Sequence, residues 1–227
     1  QTVTLTIDAV NDAPVLASVS DISFDEDTSG SLSLSADDVD GDVLSYSIVG
    51  GSDITAVLDG SDVSFSAPAN YNGSEAFTIS VNDGELSDSQ SITVTVTAVN
   101  DPPVANVSIG TTNEDQSVVV SLSGSDIDGD VLTFSLDTDA TNGSVVLEGS
   151  LATYTPTDDY NGDDSFIFAV TDGEYSSTAT VTLTIDAVND APVLASISDV
   201  SFDEDTSGSL SLSADDVDGD DLSYSIV

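Results

Sequence analysis

The sequence Ala98-Val99-Asn100-Asp101-Pro102-Pro103-Val104 occurs, with one change, at residues 9–15 and again at residues 187–193. Each copy begins 89 residues after the one before it. Self-similarity at a fixed period indicates an array of similar structural units. We therefore divide the chain of 227 residues into the end of a preceding repeat at 1–8, repeat 1 at 9–97, repeat 2 at 98–186 and the first part of repeat 3 at 187–227.

Residues 179–227 are nearly identical to residues 1–49. The two stretches differ only at Gln1/Ala179, Val19/Ile197, Ile22/Val200 and Val43/Asp221. The near-identical period is therefore 178 residues, which corresponds to two unlike repeats that alternate. We expect the chain to be part of a much longer array.

Short runs of alternating polar and apolar residues fill each repeat, and a period of two is typical of half-buried strands. Residues 2–7 and 180–185 share one such run, which we predict to be the last strand of a repeat. In repeat 1 the pattern predicts seven strands, at Val15–Phe24, Ser31–Ala36, Val43–Val49, Ile54–Leu58, Asp62–Ser66, Ala76–Val81 and Gln90–Val99.

The number and spacing of these strands predict the fold class. No helical period is present, and about seven short strands in each repeat are typical of a two-sheet sandwich. We predict an all-β chain of tandem seven-stranded Greek-key β-sandwiches. The inward side chains Phe77, Ile79 and Val81 recur 89 residues later as Phe166, Phe168 and Val170. Repeat 3 stops after its third predicted strand, so we do not expect it to close a sandwich.

The charge of the chain is one-sided. It carries 43 Asp and Glu residues and no Lys, Arg or His, which gives a formal charge of −43. Self-repulsion of this size opposes a compact state unless cations supply the missing charge. Nucleic acid is excluded as a partner, because phosphate binding depends on Lys and Arg, and an anionic membrane surface is disfavoured for the same reason. The alternative of a disordered chain is disfavoured by the regular spacing of the hydrophobic residues.

Catalysis and membrane insertion are not predicted. The chain has no His, Cys or Lys to activate a nucleophile, and no apolar run approaches the ~18 residues of a membrane span. Paired carboxylates can hydrolyse glycosides, but here they fall beside linkers rather than in a cleft. The absence of cysteine excludes disulfides and leaves the compartment open.

Acidic residues cluster at the predicted strand ends in three groups per repeat. These are the tripeptides 25–27, 113–115 and 203–205, the Asp-x-Asp-Gly-Asp segments 38–42, 126–130 and 216–220, and the linker pairs 11–12, 100–101 and 189–190. Ca²⁺ binds six to eight oxygen ligands with flexible geometry. We therefore predict calcium where the groups meet. The alternative is that Asp, Asn and Gly only form solvated turns, but the recurrence of all three groups together favours calcium.

At these residues the chain resembles the cadherins and, more closely, the tandem cadherin-like repeats of giant bacterial surface adhesins. The linker Ala-Val-Asn-Asp-Ala-Pro is similar to the cadherin linker Asp-x-Asn-Asp-Asn-x-Pro, and Asp38-Val39-Asp40 resembles the cadherin Asp-x-Asp segment. Glu26, Glu114 and Glu204 resemble the calcium-binding Glu near the start of a cadherin domain. The Leu-Asp-Arg-Glu motif of the family is absent, and the acids nearest to its position are Glu75 and Asp164.

The resemblance implies calcium sites that are shared by two repeats and the linker between them. The implied ligands are Asn11, Asp12, Asp38 and Asp40 at the first linker, Glu26, Glu75, Asn100, Asp101, Asp126 and Asp128 at the second, and Glu114, Asp164, Asn189, Asp190, Asp216 and Asp218 at the third. We expect weaker or absent metal binding at the first linker, because its upstream repeat contributes no ligand.

The resemblance also implies a function, which is a calcium-rigidified extracellular stalk at the cell surface that holds the binding tip of a large adhesin away from the cell. The partners of each repeat are then its neighbours in the same chain. The alternative is that the repeats themselves bind, either carbohydrate or one another, in a filament or matrix. Tyr71 and Tyr160 are candidates for a sugar site, although packing at the sandwich edge, as in a tyrosine corner, is the favoured interpretation.

Overall fold

The computed structural model describes residues 1–226, and Val227, the end of the third predicted strand of repeat 3, lies outside the described residues. The described residues form strands and connecting loops, and none of them lies in a helix that could cross a membrane. The chain divides into two compact units, the first ending at Asn100 and the second beginning at Asp101. The prediction of an all-β fold is confirmed.

Repeat 1 contains nine strand segments. They are β1 (Val15–Leu16), β2 (Ile22–Asp25), β3 (Ser29–Ser33), β4 (Ala36–Asp37), β5 (Ser45–Gly50), β6 (Thr55–Asp59), β7 (Asp62–Ser66), β8 (Gly73–Asn82) and β9 (Ser87–Thr97). One sheet has the order β2-β9-β8-β5, the other has the order β3-β7-β6, and β1 pairs with β4. β2 runs parallel to β9, with Ile22 opposite Val94, and the other pairs are antiparallel.

The first predicted strand, Val15–Phe24, is divided in the structure. β1 pairs with β4, whereas β2 joins the other sheet beside β9. Side chains of β9 hold the segment between them, because the N–H groups of Leu16 and Val19 donate to Asp88 Oδ2 at 2.9 Å and Gln90 Oε1 at 3.1 Å. The second predicted strand is divided in the same way into β3 and β4, so seven predicted strands appear as nine segments.

Two clusters of alternating apolar side chains form the cores of the two complete repeats. In repeat 1, Phe77, Ile79 and Val81 of β8 are fully buried, as predicted. The rings of Phe65 and Phe77 pack edge to face, with 5.4 Å between their centroids. Full burial of one such side chain stabilises the fold by about 1.5–3 kcal/mol. The positions between them carry Thr78, which is exposed, and Ser80, which is half-buried, and this explains the period of two in the sequence.

Repeat 2 has the same arrangement. Its strands are β10 (Val104–Asn106), β11 (Ser108–Asn113), β12 (Val118–Ser121), β13 (Ser123–Ser125), β14 (Thr133–Thr138), β15 (Gly143–Glu148), β16 (Leu151–Pro156), β17 (Gly162–Thr171) and β18 (Ser176–Asp186). The sheets have the orders β11-β18-β17-β14 and β12-β16-β15, and β10 pairs with β13. Phe166, Phe168 and Val170 are buried, as the repeat predicted.

The prediction of a strand at residues 2–7 is wrong. Val3, Leu5 and Ile7 are 85–89% exposed, and this segment pairs with no other described residue. The identical residues 180–185 lie within β18, where β17 and β11 flank them on both sides. β11 and β17 precede β18 in the same repeat. Residues 2–7 have no corresponding strands before them in this chain, so they have no partners to pair with.

One of the expected strand pairings is present among the described residues of repeat 3. β19 (Val193–Leu194) pairs with β20 (Ala214–Asp215), which corresponds to β1 with β4 in repeat 1. The counterparts of β2, β3 and β5 are not strands among the described residues. In repeat 1 these three segments pair with β9, β7 and β8, which repeat 3 does not contain. In place of the three strands predicted here, the described residues form one short antiparallel pair.

Hydrogen exchange tests this dependence on partner strands, because residues 2–8 and 180–186 have one sequence. We expect that peptide to show two isotope envelopes of similar intensity in mass spectrometry, one exchanging at once and one protected within β18. Peptides that begin at Gln1 or at Ala179 assign the two envelopes. A single envelope at all times would contradict the structure.

The core of repeat 1 predicts a large effect for Ile79→Ala. Ile79 is fully buried in β8, and loss of such a side chain costs about 2–5 kcal/mol through lost burial and a cavity. The control Val57→Ala changes a side chain that is 56% exposed and is expected to cost about 0.5 kcal/mol or less. The two losses of stability are measured by urea denaturation, with hydrogen exchange of peptides from residues 73–97 as the readout. Equal costs would place Ile79 outside the core.

Candidate metal centre

Each Asp-x-Asp-Gly-Asp segment forms a tight turn around its first Asp. In repeat 1, Asp38 Oδ1 accepts the N–H groups of Asp40, Gly41 and Asp42 at 2.9, 3.0 and 3.3 Å. Gly41 has φ of +79°, a conformation that glycine adopts without steric cost. Asp38 Oδ2 is enclosed and accepts no hydrogen bond from any described residue. One oxygen therefore builds the turn, and the other is free to bind a cation.

The same turn recurs in repeat 2. Asp126 Oδ1 accepts the N–H groups of Asp128 at 2.9 Å and Asp130 at 3.3 Å, and its Oδ2 is likewise enclosed without a partner in the described chain. Ligand oxygens of these three carboxylates lie within 4.8 Å of one another, as do those of the corresponding residues in repeat 1. In repeat 3, Asp216 Oδ1 accepts the N–H of Asp220 at 3.2 Å.

The Asp of each linker is tied to the turn of the repeat that follows it. Its backbone N–H donates to Oδ2 of the second Asp of the turn in all three copies. The pairs are Asp12 with Asp40 at 2.8 Å, Asp101 with Asp128 at 2.7 Å and Asp190 with Asp218 at 2.6 Å. These backbone hydrogen bonds hold the linker acid beside the turn.

The linker Asn residues are placed less uniformly. Asn11 donates its amide to Asp83 Oδ2 at 2.9 Å, in the hairpin between β8 and β9. Asn189 is exposed and donates to the carbonyl of Asp190 at 2.9 Å. Asn100 is half-buried at the end of its unit. The role of the three linker Asn residues as metal ligands therefore remains a prediction.

The unit that begins at Asp101 brings together acids from three segments. Glu114, directly after β11, is 3% exposed, and its Oε1 and Oε2 accept the N–H of Val188 and the amide of Asn161. Oxygens of Glu114, Asp190 and Asp218 all lie within 4.8 Å of one another. Asp190 Oδ2 is enclosed and, within the described residues, has no hydrogen-bond partner.

No positive side chain balances this cluster. Burial raises the pKa of Asp190, and the carboxylates of Asp159, Asp115, Asp218 and Glu114 raise it further. Two like charges 4 Å apart repel by roughly 1–4 kcal/mol at effective dielectrics between water and a protein surface. A divalent cation among these oxygens would reverse the sign of the interaction. The donor set consists of oxygens only, which suits Ca²⁺.

A second acidic triad was not predicted from the sequence. Asp115, Asp159 and Asp190 also place oxygens within 4.8 Å of one another. Asp159 lies in the loop between β16 and β17, and its N–H donates to Asp115 Oδ1 at 3.1 Å. The signal in the sequence was the pair Asp158-Asp159, which stands where repeat 1 has Ala69-Asn70.

Glu26, the counterpart of Glu114 in repeat 1, is also buried. It is 4% exposed, its Oε1 accepts the N–H of Val99 at 2.7 Å, and its Oε2 is enclosed without a hydrogen-bond partner in the part of the chain that is described. A buried carboxylate oxygen without a partner is costly, so this position is suited to a cation ligand.

Comparison with known proteins identifies the repeats. Residues 11–97 and 100–184 each match the bacterial Ig domain family. The chain belongs to the bacterial Ig domain family. Comparison with curated proteins gives no match.

Several solved structures are similar to this bacterial Ig chain. Two structures of human protocadherin-24 EC1-2 are similar, one with a TM-score of 0.54 and 19% identity over 78% of this chain and 99% of that one. The other has a TM-score of 0.50 and 17% identity over 80% and 100%. An endo-fucoidan hydrolase of glycoside hydrolase family 107 matches with a TM-score of 0.36 and 22% identity over 78% of this chain, which spans 29% of the hydrolase. The predicted resemblance to tandem cadherin-like repeats is confirmed.

Two predicted ligands of the bacterial Ig repeats hold loops instead. Glu75 accepts the N–H groups of Ser52, Asp53 and Ile54 and the hydroxyl of Ser52 at 2.6 Å. The Ser52 hydroxyl contributes most to lowering the pKa of Glu75 to about 2. Glu75 belongs to none of the acidic groups formed by the described residues. Donors already surround its oxygens, which disfavours it as a calcium ligand.

Asp164 has the corresponding role in the second bacterial Ig repeat. It accepts the Tyr154 hydroxyl at 2.9 Å and the N–H groups of Thr141, Asn142 and Ser165. Burial raises the pKa of Asp164, but these hydrogen bonds lower it by more. Tyr154 stands where repeat 1 has Phe65, which offers no hydroxyl to Glu75, the counterpart of Asp164. The geometry disfavours Asp164 as a metal ligand as well.

The loop tyrosines of the bacterial Ig repeats pack against the protein. Tyr71 contacts the core of repeat 1, and Tyr160 contacts the core of repeat 2. The Tyr160 hydroxyl donates to the carbonyl of Asp163 at 2.7 Å. This arrangement supports the packing interpretation over a sugar site.

The lowered pKa of Glu75 predicts a pH dependence. Its folded pKa of about 2 lies below the ordinary value of 4.5, so its stabilising effect is complete above the ordinary value and is lost as the pH falls towards 2. We expect Glu75→Gln to be destabilised relative to the native chain at neutral pH, with a gap that shrinks in acid. Urea denaturation across this range measures the gap. The exposed Glu85→Gln is the control, and a gap independent of pH would contradict the role of Glu75.

Proposed function

We propose that this chain is a segment of a calcium-rigidified extracellular stalk in a large surface adhesin. The observation that carries the proposal is the convergence of Glu114, Asp190 and Asp218 around a carboxylate oxygen that is enclosed and without a partner in the described chain. These acids come from the end of β11, from the linker and from the turn of repeat 3. A cation that binds all three links successive repeats.

The chemistry of the donors supports calcium over other ions. Ca²⁺ accepts six to eight oxygens and tolerates irregular geometry, whereas Mg²⁺ demands a near-ideal octahedron. The cluster offers carboxylates and neighbouring backbone carbonyls, with no sulfur or imidazole. Calcium binds only when the three segments have converged, so it shifts the population towards the ordered linker.

The repeat extends this proposal to the other predicted positions. The proposed ligands are Asn11, Asp12, Asp38, Asp40, Glu26, Asn100, Asp101, Asp126, Asp128, Asn189 and Asp216, together with the three acids of the observed cluster. Glu75 and Asp164 are left out, because hydrogen-bond donors occupy their oxygens.

Location at the cell surface is part of the proposal. Membership of the bacterial Ig domain family and the fold shared with protocadherin-24 domains support an extracellular adhesive role. Calcium-binding modules outside cells work at dissociation constants of about 10⁻⁴–10⁻³ M, which suits a structural ion. The alternative of carbohydrate-binding repeats is less well supported, because Tyr160 is engaged in its own loop.

Scattering tests the stalk. The 178-residue period allows two copies of residues 9–186 to be joined end to end, which gives four complete repeats with a native junction. We expect the maximum dimension from small-angle X-ray scattering to be largest and best defined in calcium, and to fall or broaden on chelation. An unchanged profile would contradict the stalk.

Calorimetry on the 227-residue chain tests the ligands. We expect Asp218→Asn to weaken calcium binding at one site about tenfold or more, because it removes one carboxylate of the cluster. The control Asp221→Val removes the same charge nearby and restores the residue found at Val43. Equal effects of the two variants would show a response to net charge alone.

A further inference from the structure

The contact between β2 and β3 in repeat 1 joins two large side chains to a glycine. Ile22 and Phe24 lie on β2, and Gly30 lies on β3. A Cβ atom at Gly30 would lie 2.6 Å from Phe24 Cδ1 and 3.2 Å from Ile22 Cδ1, whereas non-bonded carbon atoms prefer about 3.5–4.0 Å. Gly208 would meet Phe202 in the same way in repeat 3. The ring of Phe24 is buried, so only glycine fits beside it.

In repeat 2 the glycine and the large side chain stand on exchanged strands. Gly110 of β11 stands where repeat 1 has Ile22, and Val118 of β12 stands where repeat 1 has Gly30. A Cβ atom at Gly110 would lie 2.8 Å from Val120 Cγ2 of β12. The same space in the core is therefore filled from β2 in repeat 1 and from β12 in repeat 2.

A second contact differs between the repeat types in the other half of the core. Tyr154 of β16 stands where repeat 1 has Phe65, and Gly143 of β15 stands where repeat 1 has Ile54. Tyr154 is fully buried, and so is nearly all of Ile54. A Cβ atom at Gly143 would overlap the ring of Tyr154, and the Tyr154 hydroxyl donates to Asp164 of β17 at 2.9 Å. β16 therefore needs a glycine on β15 and an acid on β17.

We propose that the two repeat types have cores that reject each other's strands, so that a repeat cannot be completed by a strand of its neighbour. β2 in the place of β11 would press Phe24 onto Val118. β11 in the place of β2 would leave a cavity beside Gly30. Overpacking and cavities both destabilise a core, so the exchange is unfavourable in both directions. The proposed calcium ligands take no part in these contacts, and the inference goes beyond the proposed function.

The order of the repeats gives this rejection its use. Residues 1–49 and 179–227 are nearly identical, so repeats of one type could exchange strands without loss if they were neighbours. Exchange of identical elements is a low-cost route to misassembly, and it is a characteristic failure of repeat proteins. In this chain repeat 2 separates repeats 1 and 3, which share one type. Compatible strands are thereby kept a full repeat apart.

A cycle of variants in the 227-residue chain tests the first contact. We expect Gly30→Val, which introduces the residue of repeat 2, to lower the urea midpoint of repeat 1 by about 1 M, because the new side chain overlaps Phe24. Adding Phe24→Thr, also the residue of repeat 2, makes room for it. The double variant should therefore cost less than the sum of the two single changes. Hydrogen exchange of peptides from residues 73–97 reports the midpoint.

The control for this cycle is Ser31→Val. It also introduces the residue of repeat 2, but at an exposed position of β3, so its effect should simply add to that of Phe24→Thr. Additive costs for Gly30→Val and Phe24→Thr would overturn the contact. If Gly30→Val prevents folding, recovery of a folded repeat 1 in the double variant supports the contact, and no recovery overturns it.

Refolding tests the rejection of neighbouring strands. A 227-residue chain in which residues 9–97 also replace residues 98–186 has identical neighbours. We expect it to refold from urea at high dilution with a several-fold larger misfolded fraction than the native chain. Double-jump unfolding, followed by tyrosine fluorescence, counts the misfolded molecules, because they unfold at a different rate. Identical neighbours that refold as cleanly as the native chain would overturn the proposal.

A matched variant assigns the misfolding to the core. The middle repeat of the chain with identical neighbours receives the five residues that repeat 2 has at the first contact, through the changes Ile22→Gly, Phe24→Thr, Gly30→Val, Leu32→Val and Val94→Leu at the corresponding positions. We expect the misfolded fraction to return towards that of the native chain. A fraction that stays high while the middle repeat is folded would overturn the role of this contact.

Discussion

The structure depends on how a chain without any Lys, Arg or His accommodates 43 carboxylates. Each buried carboxylate has only N–H groups, hydroxyls or a cation from solution as partners. Glu75 and Asp164 use the first two and fix the loops before β6 and β15. Asp38 and Asp126 use N–H groups for one oxygen and leave the other enclosed. The unpartnered oxygens recur at the strand ends, which is why the proposed calcium sites lie there rather than on the sheets.

The sandwich could be predicted from the sequence because the period of two reports burial directly. Phe77 and Phe168 are buried where the alternation places them. The division of the first strand could not be predicted, because side chains of Asp88 and Gln90, more than 70 residues away, hold it. Residues 2–7 show the same limit, since an alternating sequence becomes a strand only beside its partners.

The candidate site was predictable where the repeats agree and hidden where they differ. Glu114, Asp190 and Asp218 have counterparts in every copy, and recurrence singled them out. Asp159 was missed because its counterpart in repeat 1 is Asn70. An acid that is present in only one repeat type does not recur, and recurrence was the signal that identified the other acids. Glu75 was chosen for its place along the chain, and only the three-dimensional structure shows N–H donors directed at its carboxylate.

The pairing of β2 with β9 has a consequence for the order in which a repeat folds. Ile22 and Val94 are 72 residues apart, and contacts this distant in sequence form slowly. The N–H of Glu26 donates to the carbonyl of Thr97 at 3.0 Å, and its side chain accepts from Val99. The buried glutamate is thus positioned only after the closing strand has docked. A repeat that has failed to fold presents no such ligand, so the proposed stiffening by calcium would be confined to correctly closed domains.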